Sequence, residues 1–319
     1  LFEMESRSPL FLAILWVIFV LKLTTNLSYV NQRVSKAGLL ALLASMISWG
    51  LANPFADKAI DAFSVTQLLF IEIAVGLIFV FLFAVLMRRK IRINWKVAIM
   101  LGLLEPGFTY LFGNIGYSNG TVSTGLIVMA TEVFFVAIIA SIYLKEKIST
   151  RVLVSIVVGF FGVVIAVSEV SSSGTNSLPG VFAFLLASIS AAFYVIVARL
   201  KATTENVLDL VLGQLLIGTV FALFLFLFTG SNLENVSNIS NSYWIAAIFS
   251  GIFGAAIPFL LFNYASALVP TRYSALALNA IPVVGIGFGA MLGRGVPSLV
   301  QALGGAIVVL SLYFGTREI

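Results

Sequence analysis

The sequence contains no cysteine and no histidine, and only 10% of its 319 residues are charged. Without cysteine the chain cannot form disulfides, thiolate metal sites or a cysteine nucleophile. Without histidine it lacks the commonest acid–base group and metal ligand at neutral pH. So few charges cannot cover the surface of a soluble protein of this length. We therefore expect no metal, no cofactor and no catalytic residue.

Hydrophobic residues make up 61% of the sequence. The mean hydropathy of the chain is +1.11. Apolar runs of about twenty residues recur along the chain, and each is long enough to cross a hydrocarbon layer as a helix. Within lipid a helix satisfies its own backbone, and the runs lack the alternation typical of a transmembrane barrel. The predicted fold is an all-α integral membrane protein embedded in the lipid bilayer.

Ten spans are predicted, five on either side of a polar break that begins at Ser168. A run from Thr121 to Ile148 has a counterpart from Thr271 to Pro297. Since each half contains an odd number of spans, the second half enters the membrane from the opposite side, as in many secondary transporters. We assign the two repeats to residues 30–170 and 171–319. The predicted spans are residues 37–57, 66–87, 97–116, 121–144, 150–169, 180–199, 206–228, 243–265, 271–291 and 296–315.

Residues 1–29 have no counterpart in the second half. They are a signal-like segment, an extra span or the product of a mis-started translation. From Ala37 onward the loops alternate in charge, and the positive-inside rule places both ends of the ten-span unit in the cytoplasm of a cell (inner or plasma) membrane. The predicted outer loops hold Lys58 and Arg294. The predicted inner set is Arg33, Lys36, Arg88, Arg89, Lys90, Arg92, Lys96, Lys145, Lys147, Arg151, Arg199, Lys201, Arg272 and Arg317. Because these cations flank spans, the net charge of +5 does not indicate a nucleic-acid partner.

Three stretches of the sequence are distinctive: SWGLANPFADKAI in the first span, SIYLKEKIS at the end of the fourth, and IPVVGIGFGAMLGRGVPSLVQALGG in the second half. They resemble the EamA-type transporters of the drug/metabolite transporter (DMT) superfamily. The resemblance covers about residues 35 to 315. It implies ten helices in two inverted five-helix repeats, with helices 1, 3, 4, 6, 8 and 9 around a central cavity and helices 5 and 10 at the periphery.

Three positions depart from that family pattern. Glu132 stands where the fourth span commonly has a proline, which this chain keeps in the second half as Pro282. Glu72 occupies a second-span region where many members carry an arginine. Arg294 replaces the usual acidic residue of the second signature turn, whereas Glu146 preserves it in the first.

Three carboxylates, those of Glu72, Glu105 and Glu132, fall inside predicted spans. A mid-span carboxylate costs about 3 kcal/mol on insertion scales, so it normally faces a wet cavity or a partner. Glu132 and Glu105 are predicted to line the cavity and are the candidates for proton coupling. Glu72 is on a helix predicted to lie farther from the cavity, so an interhelical pair is the favoured interpretation there.

Aromatic and amide side chains recur at helical spacing in the spans that the resemblance places around the cavity. Each alone is more typical of a helix–helix contact than of a ligand contact. The predicted substrate cavity comprises Trp49, Asn53, Glu105, Tyr110, Asn114, Glu132, Tyr194, Asn263 and Asn279. In contrast, Gly159, Gly162, Gly304 and Gly305 are interpreted as close-packing positions inside the protein, with a homodimer contact as the alternative.

An aromatic cavity with carboxylates and without mid-span cations favours a neutral, zwitterionic or cationic solute of the amino acid or amine type over phosphate esters. The predicted function is secondary transport of such a small organic solute by alternating access, with export as the expected direction and proton coupling as a subsidiary hypothesis. A passive facilitator or channel with the same fold is the alternative. An intramembrane enzyme is a remote one, because no metal motif or nucleophile with a base accompanies the carboxylates.

Overall fold

The computed structural model describes residues 35–143, 149–168, 177–201, 204–229, 238–269, 274, 277–294 and 296–316. Several sequence predictions fall outside these residues. They concern the segment 1–29, the turn that contains Glu146, and the cations Arg33, Lys145, Lys147, Arg272 and Arg317.

The described chain consists of apolar helices joined by short connections, and no strand occurs in it. Eight helices, α1 to α8, are long and apolar enough to cross a membrane, and α9 and α10 are shorter apolar helices. The helices are α1 (Lys36–Ala59), α2 (Val65–Leu86), α3 (Trp95–Ser118), α4 (Val122–Tyr143), α5 (Thr150–Val167), α6 (Leu178–Lys201), α7 (Val207–Phe228), α8 (Asn241–Leu268), α9 (Ala280–Met291) and α10 (Leu299–Thr316). The all-α membrane fold predicted from the sequence is therefore confirmed.

Polar residues fix where several helices begin. Ser64 precedes α2, and its Oγ accepts from the N–H of Gln67 while the Gln67 Oε1 accepts from the N–H of Ser64. This reciprocal pair satisfies two backbone donors that the first turn would otherwise leave open. Asn206 caps α7 through its Oδ1, which accepts from the N–H of Leu208. Short polar connections between long apolar segments thus set the limits of the spans.

The larger helix contacts of one half recur in the other. If two helices share such a contact, the two helices five places away in chain order are in contact as well. Helix α1 packs on α8 and α9, and in the same way α6 packs on α3 and α4. The contact of α2 with α8 likewise repeats as that of α7 with α3, and two further large contacts, α2 with α7 and α5 with α10, join a helix to its own equivalent. Five helices per repeat make equivalent helices run in opposite directions. This arrangement is the inverted repeat that the sequence predicts.

The equivalent helices α3 and α8 are also interrupted. In α3 a π-helical turn spans Leu103–Phe108, where Glu105 has extended dihedral angles (φ −149°, ψ 123°) and Pro106 follows. In α8 the equivalent turn is Gly251–Ala256, after which Pro258 lies in the first turn of the resumed helix, where a missing N–H is tolerated. Such irregular backbone within a membrane occurs where it lines a cavity or is buried in protein.

The break in α4 lies close to the position that corresponds to the start of α9. The first part of α4 ends at Met129 and the second begins with Glu132, whereas α9 begins at Ala280 with Pro282 in its first turn. The first turn of a helix accommodates proline, and it also favours a carboxylate because of the helix dipole. The replacement of proline by Glu132 in the first repeat therefore fits the local backbone.

Small residues bring α5 and α10 together. A Cβ atom at Gly162 would lie 2.8 Å from the carbonyl oxygen of Gly304, and one at Gly159 would overlap the ring of Phe134. These glycines are used for packing within the protein, as the sequence predicts. They hold the two peripheral helices, one from each repeat, side by side.

Candidate functional site

A cavity lies between the two repeats, with about 90 Å³ available to the centres of water molecules. One water needs roughly 10–15 Å³ by this measure, so the space holds several waters or a small solute. The described residues that line it come from α1, α3, α4, α6, α8 and the start of α9, which are the helices implied by the family resemblance, and also from α2 through Glu72. None of the described lining residues is a lysine or an arginine.

Two carboxylates face this cavity from interrupted helices. Glu105 lies at the break of α3 and Glu132 at the break of α4, and their exposed fractions are 7% and 8%. Within the described chain neither carboxylate has a hydrogen bond or an ion pair, although the two are close enough to repel each other electrostatically. Because a buried carboxylate is costly without a partner, this pair leaves a negative site open to a ligand or a proton.

Glu72 differs from these two carboxylates because each of its oxygens accepts a hydrogen bond. The Asn114 Nδ2 donates to its Oε2 at 2.9 Å, and the Ser250 Oγ donates to its Oε1. The interhelical pairing favoured by the sequence is therefore present. The expectation that Glu72 lies away from the cavity is wrong, because Glu72, Asn114 and Ser250 all line it.

Aromatic hydroxyls tie the walls of the cavity to the interrupted backbone. The Trp49 Nε1 donates to the Tyr110 hydroxyl at 3.3 Å, and that hydroxyl donates to the carbonyl oxygen of Gly254 at 2.5 Å. On the next turns the Tyr117 hydroxyl donates to the Asn53 Oδ1 at 2.6 Å. These bonds satisfy polar groups that an apolar wall would leave open, and they fix the ring orientations around the carboxylates.

Hydroxyl groups satisfy the carbonyl groups released by the breaks of α3 and α8. The Leu104 oxygen accepts from the Ser190 Oγ of α6 at 2.7 Å and from the Thr109 Oγ1 of α3 itself at 3.0 Å. In α8 the Phe253 oxygen accepts from the Ser48 Oγ of α1 at 2.6 Å. Helices α3 and α8 are thus each stabilised by a helix of the other repeat.

Two of the residues predicted to line the cavity do not lie among its lining residues. Asn263 is fully buried behind the wall, where its Nδ2 donates to the Tyr194 hydroxyl at 2.8 Å and to the carbonyl oxygen of Phe259. Asn279 lies at the turn just before α9, with a buried Oδ1 that has no hydrogen-bond partner among the described residues. The polar spacing in the sequence identifies these helices, but it does not fix which face each residue occupies.

The structure brings together the other seven predicted cavity residues, Trp49, Asn53, Glu105, Tyr110, Asn114, Glu132 and Tyr194. Sequence reasoning missed Glu72, Tyr117 and Ser250 as lining residues. For Tyr117 a signal existed, since it follows Tyr110 and Asn114 at i+7 and i+3 on the same face of α3.

A cluster of charges joins the two repeats beside one end of the cavity. The Arg294 Nε donates to the Asp57 Oδ2 at 2.7 Å, and its NH1 donates to the Asp61 Oδ2 at 2.5 Å. Asp57 belongs to the last turn of α1, whereas Arg294 follows α9. Burial alone would lower the pKa of Arg294, but its hydrogen bonds to Asp61 and the nearby carboxylate of Asp57 raise that pKa above its usual value. The guanidinium therefore stays charged and bridges the repeats.

The sequence matches the EamA-like transporter family over residues 36–168 and again over residues 178–316. The chain belongs to the EamA-like transporter family. The double match agrees with the two structural repeats.

Relatives of similar length carry transporter names. An uncharacterized transporter of Archaeoglobus fulgidus is 24% identical over 282 residues, which cover 88% of this chain and 98% of that protein. The uncharacterized transporter YdfC of Bacillus subtilis is 22% identical over 83% of this chain and 86% of its own length. The uncharacterized transporter YyaM of the same species is 24% identical over 70% of this chain and 74% of its own.

A protein crystal structure superimposes on this chain with a TM-score of 0.66 at 16% identity. The alignment covers 90% of this chain and all of that one. This likeness shows the fold alone. Together with the family match and the apolar helices, it makes the EamA-like chain a multi-pass membrane transporter with its cavity between two repeats.

Proposed function

We propose that this EamA-like protein is a secondary transporter that exports a small neutral, zwitterionic or cationic organic solute of the amino acid or amine type. The observation that carries the proposal is the pair Glu105 and Glu132, which are both more than nine-tenths buried, face one cavity and lack partners in the described chain. The cell membrane is the proposed location, with both ends of the ten-helix unit in the cytoplasm.

The charge of the cavity supports a solute that carries a positive or balanced charge. An ammonium group beside Glu105 and Glu132 would neutralise carboxylates that are otherwise unpaired. The rings of Trp49, Tyr110 and Tyr194 line the same space and would add cation–π attraction. A phosphate ester would instead add negative charge to a negative site, so this class of solute is disfavoured.

The repeats support alternating access as the mechanism. The cavity is lined by helices of both halves, and the interrupted helices α3 and α8 each accept a hydrogen bond from a side chain of the other half. Rocking of one half against the other would expose the cavity first to one side of the membrane and then to the other. Protonation of Glu105 or Glu132 in the absence of solute would remove the repulsion between them, which is the proposed basis of proton coupling.

Binding is tested by thermal-shift measurements on the purified protein with amino acids, amines, cationic aromatic compounds, sugar phosphates and nucleotides. We expect stabilisation by members of the first three classes. Glu132→Gln and Glu105→Gln should weaken it by at least tenfold in apparent affinity, because each removes a charge from the cavity. Glu205→Gln is the matched control, since Glu205 lies outside the cavity and pairs with Asn94. Stabilisation by sugar phosphates or nucleotides alone would refute the proposed solute class.

A further inference from the structure

Glu72 is a carboxylate that the proposed solute site does not use. It lies in α2, is 1% exposed, and accepts hydrogen bonds from Asn114 of α3 and Ser250 of α8. Both donors are neutral, so the carboxylate is held in place without being neutralised.

No described group supplies the missing positive charge. Towards Glu72, α3 presents the hydroxyls of Tyr110 and Tyr117, while Lys96 lies in the first turn of that helix. The acids Glu105 and Glu132 face the same cavity and carry the same sign as Glu72.

The other helices packed on α2 add no cation either. The charged residue of α7 is Asp209, in its first turn, and α7 runs so that this turn lies beside the opposite end of α2 from Glu72. In α8 the titratable groups are Tyr243 and Tyr264, which lie near its two ends. An ionised Glu72 would therefore be a charge inside the membrane that two neutral donors bind but that no described cation balances, which is energetically unfavourable.

We propose that Glu72, Asn114 and Ser250 form a proton-binding site that is distinct from the solute carboxylates, and that the proton bound there is a coupling ion. On binding, an O–H bond forms at the Glu72 Oε2 as a hydronium ion that reaches the cavity gives up a proton and becomes water. The Asn114 amide then turns over so that its Oδ1 accepts from this new donor, and the Ser250 hydroxyl keeps its bond to the Oε1. Both oxygens of Glu72 thus have a partner in both forms.

The composition of the site favours a proton over a metal cation. Hard cations take about six oxygen ligands, whereas this site has the two Glu72 oxygens, one amide oxygen and one hydroxyl. In addition, Asn114 and Ser250 point hydrogen atoms rather than oxygen lone pairs at the carboxylate in the present arrangement, so neither side chain is placed to ligate a cation.

The position of the site connects the proton to the movement of the repeats. Glu72 and Asn114 belong to the first repeat, and Ser250 belongs to the second, directly before the interrupted turn Gly251–Ala256. A Cβ atom at Gly251 would lie 2.8 Å from the backbone oxygen of Glu72, so the backbones of α2 and α8 are in close contact there. Protonation therefore weakens the Ser250–Glu72 hydrogen bond, because a neutral carboxyl oxygen accepts less strongly than a carboxylate oxygen, and this bond crosses the interface that alternating access must rearrange. This coupling role rests on the proposed function, whereas proton binding does not.

Infrared difference spectroscopy across a pH step, on the full-length protein in lipid vesicles without solute, measures the proton directly. The background is the Glu105→Gln/Glu132→Gln double variant, which removes the two carboxylates assigned to the solute and leaves Glu72 in the cavity wall. We expect a protonated-carboxyl band on acidification that is lost when Glu72→Gln is added and retained when Glu205→Gln is added. Glutamine keeps the shape and the acceptor oxygen of Glu72, and the melting temperature of each variant reports whether it has folded.

Ser250→Ala provides a second variant for the same measurement. Loss of a donor to the ionised form should raise the pH at which the band appears and shift its frequency, without abolishing it. A band that persists in Glu72→Gln, or a band that sodium chloride removes at constant pH, would overturn the proton site. If Glu72→Gln removes the band but leaves proton-driven solute accumulation intact, the coupling role fails and the proposed function stands.

Discussion

At the scale of single residues, the hydroxyl of Tyr110 joins three helices of the cavity wall through two hydrogen bonds. It accepts from the Trp49 indole of α1 and donates to the Gly254 carbonyl in the interrupted part of α8. One oxygen atom thereby connects a cavity helix of each repeat with α3.

Tyr110→Phe is expected to destabilise the protein by about 1–3 kcal/mol, because it leaves a buried carbonyl and a buried indole N–H without a partner. The free energy of unfolding in mixed micelles measures the effect. Tyr264→Phe is the control, since Tyr264 lies in α8 with 45% of its surface exposed. Equal stability of the two variants would show that the Tyr110 bonds contribute nothing.

Residue roles were predictable from the sequence only in part. Hydrophobic context identifies Glu105 and Glu132 as mid-span carboxylates, and both do line the cavity. The sequence does not give the rotation of each helix about its axis, which is set by packing with its neighbours. For that reason the prediction that Asn263 and Asn279 line the cavity is wrong, and so is the prediction that Glu72 lies away from it.

At the scale of helices, the contact between α5 and α10 depends on the absence of side chains. A Cβ atom at Gly304 would lie 2.5 Å from the carbonyl oxygen of Gly162 and from the backbone nitrogen of Ala166. Both of these atoms belong to the backbone of α5, so neither can move without moving the helix.

Gly304→Ala is therefore expected to cost about 1–3 kcal/mol, as overpacking does in other tightly packed interiors. Gly287→Ala provides the contrast, since Gly287 is exposed in α9 and a Cβ atom there meets nothing within 4 Å. That variant should be neutral or slightly more stable, because alanine favours a helix more than glycine does. Thermal unfolding of the two variants tests the difference, and a Gly304→Ala protein as stable as Gly287→Ala would contradict the packing.

Helix interruptions differ in how far the sequence reveals them. Pro106 predicts the break in α3, since proline removes a backbone donor in mid-span. In contrast, neither proline nor glycine occurs at the break of α4 before Glu132, and the predicted span there is continuous. Its equivalent in the second repeat carries Pro282, so the comparison of repeats held the missing information.

At the scale of the whole molecule, the Arg294 cluster ties the repeats together at the predicted outer end of α1. The guanidinium also donates to the carbonyl oxygen of Asp57, and the Asp57 side chain is only 7% exposed. The cavity-lining Ala56 is the preceding residue. Separation of Arg294 from Asp57 is thus one step by which this end of the cavity would open.

Arg294→Gln is expected to loosen that end, because it leaves Asp57 buried without its cation. The absence of natural cysteine allows a direct measurement: Ala56→Cys is modified by a membrane-impermeant thiol reagent with and without Arg294→Gln. We expect severalfold faster modification with Arg294→Gln. Lys90→Gln, at an exposed position beyond α2, is the control. An unchanged rate would show that the cluster does not restrict access.

The overall architecture was the most predictable part of the structure. The thickness of the hydrocarbon layer requires about twenty apolar residues per helix, so hydrophobicity alone locates α1 to α8 within a few residues. The odd number of spans per half then predicts the inverted arrangement. Contacts between the halves, such as that of Ser250 with Glu72, join distant parts of the chain and leave no local pattern.

Solute flux in proteoliposomes tests the central claim that this cavity performs secondary transport through its carboxylates. The solute is the compound that gives the largest thermal shift, and an imposed pH gradient provides the driving force. We predict accumulation against the solute gradient by the wild-type protein and by Glu205→Gln, and loss of accumulation in the Glu105→Gln/Glu132→Gln double variant. Solute that only equilibrates in the wild-type protein, or accumulation that survives in the double variant, would contradict the account.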